Sequence, residues 1–322
     1  MIATRLTRAM GLDHPIISAP MAKVGGGRLA AAVSNAGGLG LIGGGYCEPD
    51  WIEAEFQKAD NAHIGCGFIT WRLAGQPGLL DAVLDRGPRA IFLSFGDPTE
   101  AGAKVKAANV SLICQVQMLA DAKLAVGAGA DIIVAQGSEA GGHGDRRATM
   151  TLVPEVADWL AANANDVLLC AAGGIADGRG LAAALMLGAD GVVAGTRFWA
   201  ADEALTSPAH IAAGLAADGD QTIHTKVVDI ARDFDWPERF NNRVLSNPFI
   251  AKWQALGEEL ATNRAAKDAW LTALASGDTS IASATVGEGI GLVHATAPAA
   301  KIMQDMVDEA ERLLAGSWQR NG

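Results

Sequence analysis

The sequence is poor in aromatic residues and in cysteine. Aromatic residues make up 5% of the 322 residues, and Tyr46 is the one tyrosine, so a tyrosine-based acid could come from that position alone. No two cysteines form a CxxC pair, which argues against a zinc knuckle and against a redox dithiol. We expect all four to be small buried apolar residues. They are Cys47, Cys66, Cys114 and Cys170.

Basic residues and long apolar runs are also scarce. The chain has 25 Lys and Arg against 36 Asp and Glu, a net charge of −11. Binding to nucleic acid or to an anionic membrane needs a clustered basic surface, so we expect neither partner. The sequence shows no uninterrupted apolar run of membrane-spanning length, and its first residues lack the apolar stretch of a secretory signal. We therefore expect a cytoplasmic protein with no membrane partner.

Half of the residues are hydrophobic, which allows a large core, and they recur as short apolar segments followed by longer helical ones. Segments that are apolar throughout are typical of parallel strands covered on both faces. Eight such repeats predict an α/β fold, a closed (β/α)8 TIM barrel, with an open doubly wound sheet as the alternative. The predicted strands are 16–19, 39–42, 64–69, 90–94, 110–116, 131–135, 167–171 and 191–194; the helices between them are 27–36, 50–58, 78–85, 98–107, 119–127, 155–163 and 178–187.

The pattern changes after residue 200. Three prolines, several Trp and Phe residues and a helical stretch at 251–274 follow, without a clear series of strands. Residues 298–314 then show a single apolar helical stripe that begins at a proline. We interpret 298–314 as the eighth barrel helix. A smaller, mainly helical insertion or lid domain, 206–275, would then lie over the carboxyl ends of the strands, where barrel enzymes place their active sites. The barrel would comprise 1–205 and 276–322.

A G-x-G-x-x-G run occurs at 38–43, but its context does not fit a dinucleotide site. Such a motif must follow a strand and open a helix. Here the glycines run through the predicted second strand, and Gly44, Gly45 and Pro49 follow. The sequence therefore argues against a Rossmann dinucleotide site.

Two later glycine loops lie where barrels commonly bind phosphate, after the seventh and eighth strands. The first loop contains Gly173 and Gly174, and the second contains Gly195 and Thr196. Glycine lets a phosphate approach backbone N–H groups, and the threonine hydroxyl is a further donor. Ordinary glycine turns are the alternative.

The loop after the sixth strand, 136–145, places one histidine among glycines. Glycines permit close approach of a planar ligand, and a histidine can exchange a proton near neutral pH. We therefore take His143 as the candidate catalytic residue, with a loop-capping histidine as the alternative. The side chains of Arg146 and Arg147, just after it, would either contact an anion or remain solvated. No Ser-His-Asp order, HExxH run or paired carboxylates stand out, and no metal site is expected.

Several of these segments together resemble the nitronate monooxygenase family, formerly called 2-nitropropane dioxygenases. The resemblance covers about residues 1–200 in order and returns near 287–292. The segments are PIISAPMA from Pro15, AGGLGLIG from Ala36, QGSEAGGH from Gln136, AGGIADGR from Ala172, and LGADG from Leu187 with the later Gly195-Thr196. Flavin-dependent enoyl reductases and NADH:quinone reductases share the EAGGH segment, so the resemblance specifies the flavin better than the reaction.

The resemblance implies a barrel that binds FMN non-covalently, with His143 as its active-site histidine. Met21 and Ala22 would lie along the flavin ring, and the two glycine loops would hold the phosphate. Many relatives have Asn in the third strand where this chain has Gly67. Glycine cannot supply that side-chain hydrogen bond, so the contact of residue 67 with the flavin or the substrate is left open. The implied cofactor-binding residues are Met21, Ala22, Gly67, Gln115, Gln136, Gly141, Gly142, Gly173, Gly174, Gly195 and Thr196.

The resemblance also implies a reaction, the oxidation of alkyl nitronates by O2 to a carbonyl compound and nitrite. The flavin would take an electron from the nitronate, and O2 would trap the substrate radical; the cofactor supplies this chemistry and the protein supplies position. An NAD(P)H-dependent quinone or enoyl reductase is the leading alternative. A flavin-free phosphosugar lyase or isomerase and a non-catalytic flavin-binding protein are two others. The oligomeric state is open, and a homodimer is one option.

Overall fold

The computed structural model describes residues 2–317. Within them, eleven strands alternate with helices. In chain order the strands are β1 (Ile16–Ser18), β2 (Leu41–Gly43), β3 (Gly65–Ile69), β4 (Ala90–Ser94), β5 (Ser111–Val116), β6 (Ile132–Gln136), β7 (Gly142–Gly144), β8 (Leu168–Ala172), β9 (Gly191–Ala194), β10 (Thr222–Thr225) and β11 (Asn241–Leu245).

The helices cover most of the remaining chain. They are α1 (Arg5–Met10), α2 (Gly27–Asn35), α3 (Pro49–Lys58), α4 (Thr70–Leu73), α5 (Leu79–Leu84), α6 (Thr99–Ala107), α7 (Leu119–Gly127), α8 (Thr149–Asn163), α9 (Gly178–Met186), α10 (Thr196–Trp199), α11 (Pro208–Leu215), α12 (Val227–Ala231), α13 (Pro248–Trp253), α14 (Gly257–Thr262), α15 (Arg264–Ser276) and α16 (Ala299–Leu314). Two short 3-10 helices lie at Gly219–Gln221 and Glu288–Leu292. No helix within the described residues combines the length and the apolar character needed to cross a membrane.

Eight parallel strands form the barrel, in the order β1-β9-β8-β6-β5-β4-β3-β2. The barrel is closed at one point between β1 and the chain just before β2, where Ile17 bridges to Leu39. There the Ser18 N–H donates to the Leu39 carbonyl at 3.0 Å, and the Leu39 N–H donates to the Ile16 carbonyl at 3.1 Å. The predicted TIM barrel is confirmed, and the open doubly wound sheet is excluded.

Along each barrel strand, side chains alternate between the barrel interior and the layer beneath the helices. In β6, Ile132 and Val134 belong to the interior cluster, whereas Ile133 and Ala135 pack in the larger outer one. Because both faces are buried, the strand reads as one apolar run instead of an alternating pattern. Leu6 and Met10 of α1 join the interior cluster and close one end of the barrel.

Helix α16 packs against α9 and α2, the position that the predicted eighth barrel helix would take. Its stripe of Ile302, Met303 and Met306 is buried, as the helical spacing predicts. The second predicted barrel segment, 276–322, ends in residues 318–322, which lie outside the described part of the chain.

The predicted insertion contains two strands as well as helices. Strands β10 and β11 pair antiparallel with each other, and β11 also pairs with β7 of the loop after β6. The stretch expected to be helical at 251–274 is divided among α13, α14 and α15. The pairing joins this segment to the loop that follows β6, and its assignment as an insertion over the barrel stays a prediction.

Candidate active site

A cavity of about 490 Å³ opens at the carboxyl ends of the barrel strands. This volume lies in the range of small-molecule and cofactor sites. All twelve residues singled out from the sequence line this cavity. They are Met21, Ala22, Gly67, Gln115, Gln136, Gly141, Gly142, His143, Gly173, Gly174, Gly195 and Thr196.

His143 reaches the cavity because its loop turns back and forms strand β7. The backbone of β7 pairs with β11, where Asn242 lies opposite His143. Gln136 at the end of β6 donates from Nε2 to the His143 carbonyl at 3.2 Å and accepts at Oε1 from Gln117 at 2.9 Å. These contacts hold the backbone of the histidine on both sides, so its position is set by the barrel and by the insertion together.

The imidazole of His143 is enclosed by groups that the sequence had not indicated. Its ring stacks on Trp236, with ring centroids 3.4 Å apart and an angle of 9° between the planes. Its Nε2 lies 3.0 and 2.9 Å from the two carboxylate oxygens of Asp229. The ring of Phe95 lies edge-on to the imidazole, with the two ring centroids 6.2 Å apart. The side chain is buried, with its ring plane fixed by Trp236 and one nitrogen engaged.

The three groups missed from the sequence, Asp229, Trp236 and Asn242, all belong to the insertion. Asp229 lies on α12, Trp236 on the following loop, and Asn242 at the start of β11. One signal could have indicated this segment: it concentrates aromatic residues, including Phe234 and Phe240, in a chain that has few. Nothing in the sequence identifies which of them would touch the histidine, because 86 residues separate His143 from Asp229.

Glu139 of the EAGGH segment anchors its loop and is engaged by protein groups. Its two carboxylate oxygens accept from the Thr149 N–H at 3.0 Å each, and Oε2 also accepts from the Thr149 hydroxyl at 2.9 Å. The same hydroxyl lies 3.1 Å from the Gly173 carbonyl. Thr149 thereby connects the histidine loop to the glycine loop after β8.

His224 supports the histidine loop from the insertion side. Its Nε2 donates to the Ser138 carbonyl at 3.1 Å, and Arg243 donates to the same oxygen from Nε at 2.9 Å. Burial, together with the nearby Arg243 guanidinium, lowers the pKa of His224 and favours its neutral form. This histidine therefore acts as a loop support.

The two predicted phosphate loops lie side by side at the cavity wall. Gly173 and Gly174 have φ values of +104° and +72°, which side chains rarely adopt. A Cβ built on Gly195 would meet the Ala19 Cβ at 3.6 Å, an ordinary contact, so a side chain there has space on the cavity side. The Thr196 hydroxyl accepts from the Gly287 N–H at 2.9 Å, which ties the second loop to the chain after the insertion.

The G-x-G-x-x-G run serves backbone packing. A Cβ on Gly38, Gly40 or Gly43 would lie within 2.6 Å of a carbonyl oxygen of Ile16, Ala30 or Met21, respectively. The run passes through β2 and opens no helix, as the sequence indicated.

Tyr46 and the four cysteines can also be placed. Tyr46 lines the cavity, packs against Phe234 at 4.5 Å between ring centroids, and has its pKa raised by burial. The four cysteines are buried and unpaired, as expected. Within residues 2–317, no group of three or more His, Cys, Asp or Glu side chains is arranged to hold a metal ion.

The sequence and the fold are similar to those of known proteins. A nitronate monooxygenase from Neurospora crassa is 33% identical over 342 residues, which cover 93% of this chain and 89% of that protein. The structure of FabK from Thermotoga maritima superposes with a TM-score of 0.83 at 30% identity and covers 98% of each chain. Nitroalkane oxidase from Streptomyces ansochromogenes shares the fold, with a TM-score of 0.81, 24% identity, and coverage of 96% and 99%.

The family model for nitronate monooxygenase matches residues 3–64 and 70–309. This match includes every barrel strand except β3, both glycine loops, His143 and the segment that carries Asp229. It extends the resemblance seen in the sequence from the first 200 residues to nearly the whole chain. It also argues for an oxidoreductase over a phosphosugar lyase or isomerase. The chain belongs to the nitronate monooxygenase family.

Proposed function

We propose that this oxidoreductase is an FMN-dependent nitronate monooxygenase that converts alkyl nitronates and O2 to carbonyl compounds and nitrite. The family is flavin-dependent in general. The observation that carries the proposal is the meeting of His143 with the two glycine loops in one cavity at the carboxyl ends of the strands. Such a cavity can hold a phosphate and a reacting group at opposite ends.

The residues present fit FMN. The glycine loops leave space at Gly195 that a side chain would fill, next to the hydroxyl of Thr196. Gly173, Gly174, Gly195 and Thr196 would hold the monophosphate, and the chain offers no separate dinucleotide fingerprint for an adenine half. Met21 and Ala22 line the same cavity and would lie along the flavin ring. The bound flavin would supply the electron-accepting chemistry that no side chain of the site offers.

The substrate region lies beside His143. Trp236, Phe95 and Tyr46 form an apolar wall there, while the Asn242 side-chain oxygen and the Ser283 hydroxyl are buried without a partner among the described residues. Unpaired buried polar atoms are costly and suggest a ligand that completes their hydrogen bonds. A small apolar molecule with a nitro head matches the apolar wall and can accept from the Ser283 hydroxyl, whereas the Asn242 oxygen is itself an acceptor and needs a donor.

His143 would act as the base that generates the nitronate from a neutral nitroalkane. A C–H bond of the substrate breaks, the proton goes to an imidazole nitrogen, and the electron pair passes to the nitro oxygens. When the substrate is already a nitronate, this step is absent and the histidine can only orient the anion.

A substrate comparison tests the proposed function. Purified protein is given preformed alkyl nitronates with O2, and separately NADH or NADPH with a quinone or an enoyl thioester. We expect O2 uptake and nitrite release with nitronates in the absence of NAD(P)H, and FMN as the released cofactor by mass spectrometry.

Two results would contradict the proposal. Rapid bleaching of the flavin by NAD(P)H under anaerobic conditions, with no O2 uptake on nitronates, would establish the reductase alternative. Release of FAD, or purification without any flavin, would contradict the cofactor assignment.

A further inference from the structure

The geometry points to Asp229 as a positioning residue that holds the proton of His143 on Nε2 and thereby makes Nδ1 the basic nitrogen. This inference rests on the proposed role of His143 and adds a second residue, contributed by the insertion. Asp229 itself faces the histidine, so it acts through the imidazole and not on the substrate.

The first argument is the environment of the Asp229 carboxylate. The residue is 3% exposed, and a buried carboxylate is costly unless a donor or a cation compensates it. Within residues 2–317, His143 Nε2 is the only hydrogen-bond donor to either carboxylate oxygen, at 3.0 and 2.9 Å. The two groups therefore depend on each other, because neither has a further ion pair or hydrogen bond at those atoms within residues 2–317.

The second argument concerns the tautomer. A carboxylate only accepts hydrogen bonds, so the Nε2 that lies between its two oxygens must carry a proton. A neutral imidazole has one proton, and Nδ1 then keeps its lone pair. Among the described residues Nδ1 has no hydrogen-bond partner, and it is not a fully buried atom. The lone pair is thus left to a ligand in the cavity that His143 lines.

The third argument is the rigidity of the arrangement. The stack on Trp236, with 9° between the ring planes, prevents the imidazole from tilting. A 180° ring flip would place the Cε1 carbon where Nε2 lies and so remove the proton donor from the buried carboxylate. Both effects favour one orientation and one tautomer before substrate binds, which lowers the cost of reaching the reacting geometry.

The proton balance follows directly. Nδ1 accepts the proton from the carbon next to the nitro group, and the electron pair of that C–H bond becomes the nitronate. The imidazole becomes doubly protonated and positively charged. The Asp229 carboxylate, at 2.9 Å from Nε2, stabilises that charge in a buried site.

The first experiment reads the tautomer and needs no turnover. Protein labelled with 15N-histidine is compared with Asp229→Asn, and His143→Asn identifies the resonances of residue 143. In the wild-type protein we expect a protonated Nε2 and an unprotonated Nδ1. The side-chain amide that Asp229→Asn introduces can donate as well as accept, so we expect a mixed or reversed tautomer in that variant.

The second experiment separates positioning from folding. Asp229→Asn should lower kcat/KM for a neutral nitroalkane about 10²–10⁴-fold, the range expected for the loss of a general base. For the preformed nitronate we expect a loss within about tenfold, since no proton is removed. The bound flavin should remain. Asp233→Asn is the matched control from the same part of the insertion: its ion-pair partner is Lys267, and both substrates should be unaffected.

Three outcomes would overturn the inference: a wild-type Nε2 without a proton, an Asp229→Asn protein that processes neutral nitroalkane like wild type, or an equal loss for both substrates together with loss of flavin. The last result would show that Asp229 only supports the fold. If the wild-type protein acts on NAD(P)H and not on nitro compounds, the proposed function fails while the 15N measurement still decides the tautomer.

Discussion

Pro20 lies so close to the backbone of Gly67 that a Cβ at residue 67 would be 2.3 Å from the Pro20 Cβ and 2.5 Å from its Cγ. This contact leaves no room for a side chain at this position of β3 unless Pro20 moves. The loop after β1, which carries Met21 and Ala22 to the cavity, occupies the space of that side chain. Residue 67 therefore contributes backbone and no side-chain hydrogen bond to the cavity wall.

Replacing Gly67 with alanine should destabilise the protein by about 1–3 kcal/mol, the usual cost of adding a group to a packed site. The free energy of unfolding, measured by urea titration, gives this value. In a Pro20→Gly background the same change should cost less, because the opposing ring is absent. Gly127→Ala, where no atom lies within 4 Å of the new methyl group, is the control. Equal costs in both backgrounds would show that the contact is unimportant.

Gly195→Val should abolish most flavin binding while leaving the protein folded. The Cβ itself meets only ordinary contact with Ala19, so the added methyl groups would enter the space beside Thr196 that the phosphate would use. The ratio of flavin to protein absorbance and far-UV circular dichroism provide the two measurements. Gly127→Val, on the exposed end of α7, is the matched substitution and should keep its flavin. A Gly195→Val protein that still binds a full equivalent of flavin would show that the phosphate binds elsewhere.

His143→Asn should impair turnover of neutral nitroalkanes more than turnover of preformed nitronates. Loss of a general base typically costs about 10²–10⁴-fold, and the nitronate does not need one. Steady-state kcat/KM for both forms of one nitro compound measures the difference. The variant should still purify with flavin, because the phosphate loops lie on other strands. A colourless variant would mean that His143 supports the cofactor or its loop, and unchanged turnover of both substrates would remove its catalytic role.

The four cysteines should be unreactive in the native protein at neutral and mildly alkaline pH. Burial raises the pKa of Cys47 and of Cys114 from 9.0 to about 12, and it raises the pKa of Cys66 and Cys170 as well. The thiol form is therefore retained in the fold, and the thiolate is the nucleophile. A disulfide exchange reagent at pH 8 should label none of the four before urea is added and all four afterwards; rapid labelling of the native protein would disagree.

The same shifts predict how stability depends on pH. A thiol whose pKa is higher in the folded than in the unfolded chain favours folding fully below the unfolded value. That contribution is lost as the pH rises from about 9 toward 12, since the unfolded chain then loses its protons first. The urea midpoint should fall over this range, and replacing Cys47 by alanine should make the fall shallower.

Local sequence patterns determined the barrel of this protein. Residues 132–135 of β6 and all of β8 are apolar because both faces of a parallel strand are covered, and that requirement is visible without any tertiary information. The α16 stripe of Ile302, Met303 and Met306 likewise follows from helical periodicity alone. Loops that follow successive parallel strands lie at the same end of a barrel. The sequence alone therefore predicts that the loops of Gly173 and Gly195 are neighbours.

Only the tertiary structure decided what surrounds His143. Asp229 and Trp236 reach the imidazole because β11 pairs with β7, a long-range contact for which no local periodicity exists. The strands of the insertion are short and are stabilised by that pairing, which is why the sequence there indicated helices alone. Gly67 shows the same limit: the sequence shows a glycine in the strand, but its packing against the ring of Pro20, 47 positions earlier in the chain, is visible only in the tertiary structure.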